Sequence, residues 1–368
     1  MLEKTENTII VGLETGAEPQ LIPLEESLAE LARLTHTAGA KVVGTLSQKR
    51  PMPDQRYYIG QGKLLELQTL VKSTEADMVV FDISLSSSQQ RNLEEFLGLK
   101  VIDRTELILD IFALHAKSRE GKLQVELAQD SFLLSRLSGH GVSMSRLGGG
   151  IGTRGPGETK LEYDRRNIRK RISELKKEIK QLARERTVRR EKRKTSHFPL
   201  VALVGYTNSG KSTLLNSLSN AGVLAQDKLF ATLDPTVRRI YLPSKQTILL
   251  TDTVGFIQKL PHQLVAAFAA TLEEVTEADL LLHIVDSSNP YFEDQINAVY
   301  TVLEELNCVT KPIITVFNKV DRLDEKIEPL LIEKYQPAIS ISALHKQGLE
   351  ELQAEITRVF SRQRRQPA

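Results

Sequence analysis

The stretch Gly205-Tyr206-Thr207-Asn208-Ser209-Gly210-Lys211-Ser212 decides how this chain is read. It follows the apolar run Pro199–Val204 and precedes a helical pattern, Thr213–Ser219. G-x-x-x-x-G-K-[ST] between a strand and a helix is the setting in which backbone N–H groups wrap a chain of phosphates. The glycines let the backbone curl inward, and the helix N-terminus adds partial positive charge. Lys211 is expected to reach the outer phosphate oxygens, and the Ser212 hydroxyl to bind Mg²⁺. Thr213 opens the helix behind them.

Working downstream, Asp252-Thr253-Val254-Gly255-Phe256 closes the apolar strand Thr247–Leu250. In this D-x-x-G pattern Asp252 is expected on the Mg²⁺ shell and the Gly255 N–H on the terminal phosphate, where it can sense hydrolysis. Between the two motifs, Phe230-Ala231-Thr232-Leu233-Asp234-Pro235-Thr236 should form a second switch, with Thr232 closing over metal and phosphate and Thr236 behind it. Lys211, Thr232 and Gly255 are the candidate catalytic residues; Ser212, Thr232 and Asp252 are the candidate metal ligands.

The base is read from two later motifs. Asn318-Lys319-Val320-Asp321 follows the apolar strand Pro312–Phe317. The Asp321 carboxylate can accept from guanine N1–H and the exocyclic amine together, whereas adenine has an acceptor at N1 and would leave it unpaired. Asn318 would meet the other edge of the base and tie its loop to the phosphate loop, and the Lys319 stem can cover the base face. Ser342-Ala343-Leu344 follows the strand Ala338–Ile341 and would present the Ala343 N–H to guanine O6.

Upstream, short apolar runs (Ile9–Leu13, Lys41–Leu46, Ala76–Asp82, Lys100–Ile102) alternate with helical patterns (Pro23–Thr37, Lys63–Lys72, Ser87–Leu97, Thr105–Ala116). That predicts a small α/β domain over residues 1–116. A helical stretch near Lys117–Ser138 carries Leu123, Leu127, Leu134 and Leu137. Eight of the chain's 21 glycines then fall between Gly139 and Gly157. Beyond them Leu161, Ile168, Ile172, Leu175, Ile179 and Leu182 form an a/d seam of a coiled coil. Three heptads are short for an independent coil, so the two helices should pair as an antiparallel hairpin with the glycine loop at its tip. The reading is thus a multi-domain α/β chain: N-terminal domain 1–116, helical hairpin 117–197 and doubly wound P-loop domain 198–368.

The net charge of +2 hides a segregation: residues 158–197 hold 16 Lys and Arg against seven Asp and Glu. The off-seam bases, among them Arg165, Arg166, Arg169, Lys170, Lys176 and Lys177, cannot be balanced within the helix and would suit a phosphate backbone. A single cysteine, Cys308, excludes an intrachain disulfide and any multi-cysteine metal site. No run approaches the ~18 apolar residues of a membrane span, and Met1–Leu13 does not read as a signal peptide. A cytoplasmic setting is expected.

In this order the motifs resemble the translation-factor-related class of P-loop GTPases. GYTNSGKS (205–212), FATLDPT (230–236), DTVGFI (252–257), NKVD (318–321) and GGGIGTRGPGET (148–159) are similar to segments of the HflX family of ribosome-associated GTPases. The resemblance covers roughly residues 9–360. It implies binding of GTP and GDP, hydrolysis to GDP and phosphate, contact with the large ribosomal subunit and its RNA, and splitting of stalled ribosomes by a protein that is monomeric when free. In related potassium-activated GTPases an asparagine at the fourth loop position ligates the monovalent cation, which makes Asn208 a candidate for K⁺. The additional C-terminal domain of some family members is not expected here. Two other readings of the residues stay open: a signalling switch whose coil dimerises, and a GTPase that assists tRNA modification.

Overall fold

The structure is a computed structural model that describes residues 5–16, 22–138, 156–194, 198–219, 229–230, 232–258, 269–323 and 333–363. The described residues form two compact units, one up to Gln181 and one from Leu182 onward.

In the first unit, β1 (Asn7–Thr15), β2 (Lys41–Arg50), β3 (Met78–Phe81) and β4 (Lys100–Asp103) form a fully parallel sheet in the order β2-β1-β3-β4. The crossovers are α1 (Leu24–Thr37), α2 (Gln61–Thr74) and α3 (Ser87–Leu97), and α4 (Arg104–His115) follows β4. Ile9, Val11, Val79 and Phe81 are fully buried, as expected of parallel strands covered on both faces. Local chemistry sets the helix ends. Ser86 and Gln89 cap α3 reciprocally, Gly98 ends it with φ +71°, and Asp103 caps α4 through the Glu106 N–H. Each strand and helix read from the sequence of this domain is present, with ends shifted by no more than four residues.

The Arg104 guanidinium, 2% exposed, sits at the start of α4 between Glu30 of α1 and Asp82 after β3, with 2.7 Å to Asp82 Oδ1. Asp82 also accepts from Ser27 Oγ at 2.5 Å. Three elements distant in sequence are thereby joined beneath the sheet's carboxyl edge. Arg104→Met is expected to strand two buried carboxylates and to destabilise this unit by about 3–5 kcal/mol, read as a drop in its denaturation midpoint.

Two longer helices follow, α5 (Arg119–Ser138) and α6 (Pro156–Lys194), the second continuing past Gln181, where this unit ends. Proline in the first helical position gives up a donor that would have had no intrahelical partner. Arg119 lies 3.6 Å from Glu178, and Arg171 lies 2.6 Å from Glu126. Numbers rise along one helix as they fall along the other, so the pair is the antiparallel hairpin expected from the seam. Leu123 and Leu175 are buried within it, while Arg166, Arg169, Lys170, Lys176, Lys177 and Lys180 are exposed. The glycine-rich tip, 139–155, lies outside the described residues.

The second unit is a six-stranded sheet in the order β10-β9-β8-β5-β7-β6. Its strands are β5 (Leu200–Gly205), β6 (Thr236–Tyr241), β7 (Thr247–Asp252), β8 (Leu280–Asp286), β9 (Ile313–Asn318) and β10 (Ala338–Ser340). Only the β6–β7 pair is antiparallel. Helices α7 (Lys211–Ser219) and α10 (Leu349–Gln363) cover one face, where Leu214, Leu215, Leu352 and Ile356 meet Val201, Leu250 and Ile314. Helix α9 (Phe292–Glu305) covers the other, with Ile296 against Val285 and Phe317; α8 (Ala269–Glu277) precedes β8. This is the doubly wound sheet expected. Because β7 and β8 flank β5 on opposite sides, the chain reverses direction across the sheet at β5, and a crevice opens at its carboxyl end.

Candidate nucleotide-binding site

The candidate residues gather at that crevice because the strand registers align their ends. Leu203 pairs with Asp252, Gly205 with Ile284, and Asp286 with Asn318. Where β5 ends, Gly205 and Gly210 hold φ of +151° and +96°, and a Cβ on either would overlap the Ile284 carbonyl or the Asn318 amide. Asn208 is also left-handed, at φ +61°, and its side chain is exposed. The loop Gly205–Gly210 turns back on itself, with the Ser209 N–H donated to Tyr206 O at 3.3 Å. Tyr206, Thr207 and Ser209 are buried in its wall.

Lys211, at the first turn of α7, curls under this loop and donates to Gly205 O at 3.1 Å and Tyr206 O at 2.8 Å. Burial pushes its ammonium down to about 8, against the pull of Asp252. An anion bound here favours the protonated lysine and raises its pKa. Nucleotide affinity should therefore be full below pH 8 and fall as pH rises above it. Titration of GDP binding between pH 7 and 9.5 checks this, with proton uptake on binding in the upper part of the range.

Beside the lysine three hydroxyl and carboxylate groups converge. Ser212 Oγ and Thr232 Oγ1 both donate to Asp252 Oδ2, at 2.6 and 2.9 Å, and stand 3.0 Å apart. Among the described residues the other carboxylate oxygen, Oδ1, is buried with no hydrogen-bond partner, and burial raises the carboxyl's pKa. A cluster of hard oxygens with one acceptor to spare fits Mg²⁺, which prefers few protein oxygens and completes its shell with phosphate and water. Of the two switch threonines, Thr232 is the one at this cluster. Thr236 begins β6, opposite Asp252 in the ladder, and is exposed. Phe230 is buried, with φ +55°; Ala231 lies outside the described residues.

The D-x-x-G turn is clamped to the phosphate loop. The Thr207 N–H donates to Phe256 O at 2.7 Å, and the Phe256 N–H to Gly205 O at 3.1 Å. This brings Gly255 against Thr207 and Lys211, close enough that a Cβ there would lie 3.1 Å from Lys211 Nζ. Val254 and Phe256 are buried. The Thr253 hydroxyl points away, donating to Leu203 O on β5 at 2.6 Å, so only its backbone faces the crevice.

On the base side, Asn318 is the tie expected. Its Nδ2 donates to Ser209 O at 2.8 Å, and its Oδ1 accepts the Ala343 N–H at 2.9 Å. Both polar atoms thus bind protein, and the Ala343 N–H assigned to guanine O6 is already shared with Asn318. Asp321 is exposed and oriented by Ser342 Oγ, which donates to Oδ1 at 2.5 Å and draws the carboxyl's pKa down. Leu344 is 66% exposed beside it. Sequence reasoning missed the supports. Lys319, at φ +65°, is anchored to Asp286 at 2.7 Å, and the Ser287 hydroxyl holds Asn318 O at 2.6 Å. Asp286 and Ser287 close β8 with no motif to mark them; only their place at a strand's carboxyl end signals them.

With the ends of β5, β7 and β9 converging on one phosphate loop, and a carboxylate at the base-facing position, the second unit is that of a P-loop GTPase. Comparison with known proteins narrows this. Residues 25–113 match the family described as GTP-binding GTPase N-terminal, 115–193 that described as GTP-binding GTPase Middle Region, and 200–319 that described as 50S ribosome-binding GTPase. The chain belongs to the HflX family of GTPases, enzymes that hydrolyse GTP. It is 51% identical to GTPase HflX of Alkalihalophilus pseudofirmus over 351 residues, 95% of this chain and 82% of that protein. To GTPase HflX of Escherichia coli K12 it is 45% identical over 339 residues, 91% of this chain and 79% of that one. It also resembles the crystal structure of a GTP-binding protein from Sulfolobus solfataricus in complex with GDP. The TM-score is 0.51 at 26% identity, covering 97% of this chain and 99% of that one.

Proposed function

We propose that this GTPase acts on the ribosome, binding the large subunit and splitting stalled particles, with hydrolysis stimulated by that partner. Three parts divide the work: an α/β domain, 1–116; a basic hairpin, 117–197, set against ribosomal RNA; and a GTPase domain, 198–368. The exposed bases along α6 carry the RNA assignment, because residues 158–197 hold 16 Lys and Arg against seven Asp and Glu, an excess that the Arg171–Glu126 pair across the hairpin reduces only slightly. The match of residues 200–319 to 50S ribosome-binding GTPases supports the same partner. A cytoplasmic, monomeric protein fits this role, and among the described residues no helix is long and apolar enough to cross a membrane.

In this reading Gly205–Thr213 and Lys211 hold the phosphates, and Asp321, Ser342, Ala343 and Leu344 receive guanine. Ser212, Thr232 and Asp252 hold Mg²⁺, whose charge opposes that developing on the β- and γ-phosphate oxygens. The Gly255 N–H meets the terminal phosphate, so its loss releases the D-x-x-G turn. The position after Gly255 is filled by Phe256, 3% exposed and followed by Ile257, also 3% exposed. Neither side chain can hydrogen-bond water, so the isolated enzyme is slow, and ordering of both switches on the ribosome completes the site. The test is GTP turnover with and without large ribosomal subunits. Stimulation together with co-sedimentation of the GTP form supports the proposal. Fast turnover that subunits leave unchanged overturns it in favour of a free-standing switch.

Asn208 is assigned to K⁺. Its left-handed backbone and exposed carboxamide leave the side chain available at the phosphate loop. A cation there would add positive charge as negative charge develops between the phosphates. Hydrolysis should be faster in KCl than in NaCl, and Asn208→Ala should abolish the difference.

A further inference from the structure

We infer that the Tyr206 phenol is a latch: it holds the backbone beyond the D-x-x-G turn against the phosphate loop and so positions Gly255 for the terminal phosphate. The inference rests on the reading of Gly255 as the terminal-phosphate contact and assigns the side chain that keeps it in place. Tyr206 is the second residue of the phosphate loop and is 4% exposed. Wrapping phosphates is work for its backbone, and burial of the ring alone would make it a packing residue. Its oxygen says more, because the phenol accepts the Gln258 N–H at 3.0 Å. Through its carbonyl the same residue accepts from Lys211 Nζ at 2.8 Å. Tyr206 therefore touches the phosphate lysine with its backbone and the far end of the D-x-x-G turn with its side chain.

The backbone explains why a side chain is used. Past the end of β5 the chain continues as a short parallel ladder in which Tyr206 stands beside Phe256. The Phe256 N–H donates to Gly205 O at 3.1 Å, and the Phe256 carbonyl accepts the Thr207 N–H at 2.7 Å. In a parallel ladder the next donor on that side is the Gln258 N–H, and its acceptor would be Thr207 O. The phosphate loop has by then turned away: Asn208 is left-handed at φ +61°, and the Ser209 N–H folds back on Tyr206 O at 3.3 Å. The phenol supplies the acceptor that the turning backbone withdraws, so a part-buried N–H keeps a partner. Gly255 is then held from both sides, by the Thr253 hydroxyl on Leu203 O before it and by the phenol on Gln258 after it.

Such a latch bears on one state of the nucleotide. The Gly255 N–H meets only the terminal phosphate, which GDP lacks. Loosening the turn weakens the hold on GTP and slows its hydrolysis, while GDP stays bound by the phosphate loop, the lysine and the base-side residues. Tyr206 is thus a positioning residue that acts through Gly255 and touches no reacting atom with its side chain. The net worth of a single neutral hydrogen bond corresponds to a factor of up to about ten.

Tyr206→Phe removes the phenol oxygen and keeps the ring. Affinities for GDP and for a non-hydrolysable GTP analogue, single-turnover GTP hydrolysis and the thermal midpoint of the GDP complex are measured for parent and variant. The expected result is a loss of about 3- to 10-fold in analogue affinity, in hydrolysis rate or in both, with GDP affinity within about twofold of the parent and the midpoint within about 3 °C. Parental analogue affinity together with the parental rate overturns the inference. Equal losses of GDP and analogue affinity with a lowered midpoint also overturn it and make Tyr206 a packing residue. Gly255→Ala tests the reading beneath. Its Cβ would lie 2.9 Å from Thr207 Cα, so it should weaken the analogue more than GDP. An alanine variant with the parental preference refutes the reading of Gly255, whatever Tyr206→Phe shows, and the latch falls with it.

Discussion

Asp321→Asn is expected to exchange guanine for xanthine. The carboxylate is held outward by Ser342 Oγ at 2.5 Å, and His345 Nε2 lies 3.8 Å from its second oxygen. It is thus preset to accept two N–H donors on one edge of a purine. An amide in its place offers one acceptor and one donor, which clashes with guanine's pair of donors and suits xanthine's donor and acceptor. Sites built to hydrogen-bond a substrate group discriminate by about 10⁴–10⁵ against an analogue that leaves them unpaired. The Asp321 side chain keeps 17% of its surface open to water, so only part of that factor applies and a loss of about 10²- to 10³-fold in GTP affinity is expected. Competition between GTP and xanthosine triphosphate for the variant checks it; unaltered GTP affinity would show that base choice lies elsewhere.

Asp252→Asn is expected to have the larger effect on turnover. Both Ser212 Oγ and Thr232 Oγ1 donate to one carboxylate oxygen, and the second oxygen is buried without a hydrogen-bond partner among the described residues. The amide keeps the shape but removes the charge that attracts a divalent cation and that opposes Lys211. Several kcal/mol of charge stabilisation correspond to a fall of about 10²- to 10⁴-fold in Mg²⁺-dependent hydrolysis. The Lys211 ammonium would lose the attraction of Asp252 that holds its pKa up, so GDP affinity should begin to weaken at a lower pH than in the parent. Turnover and affinity measured across Mg²⁺ concentration separate the two effects.

What was legible in the sequence depended on how local its cause was. The phosphate loop could be read because its requirements, glycines at fixed offsets and a lysine at a helix start, all lie within eight residues. The antiparallel hairpin could be read from a/d spacing, which reports the helix face directly. Strand β6 was not separated from the switch before it, since Thr236–Tyr241 is a short edge strand with Arg238 and Arg239 interrupting its apolar pattern. The Arg104 cluster was invisible for a different reason. Its partners, Glu30 and Asp82, are 74 and 22 residues away, and three charged residues in three helical or turn contexts read as ordinary surface. The sequence favoured Thr232 over Thr236 only by its place in the switch; the structure adds that Thr236 pairs opposite Asp252 in the ladder while Thr232 Oγ1 donates to Asp252 Oδ2. Motifs name the groups that touch a ligand, whereas Asp286 and Ser287 gain their meaning from tertiary position.

Asn318 joins Ser209 on the phosphate loop to Ala343 on the turn beside the base. One carboxamide therefore belongs to both halves of the site, and the halves cannot be ordered independently. Linkage makes such an arrangement reciprocal: whatever one fragment of the nucleotide gains from a pre-ordered loop, the other must return. Guanosine should raise the affinity for pyrophosphate by the same factor by which pyrophosphate raises that for guanosine. Asn318→Ala should bring that common factor toward one, leaving two weak sites that no longer answer to each other.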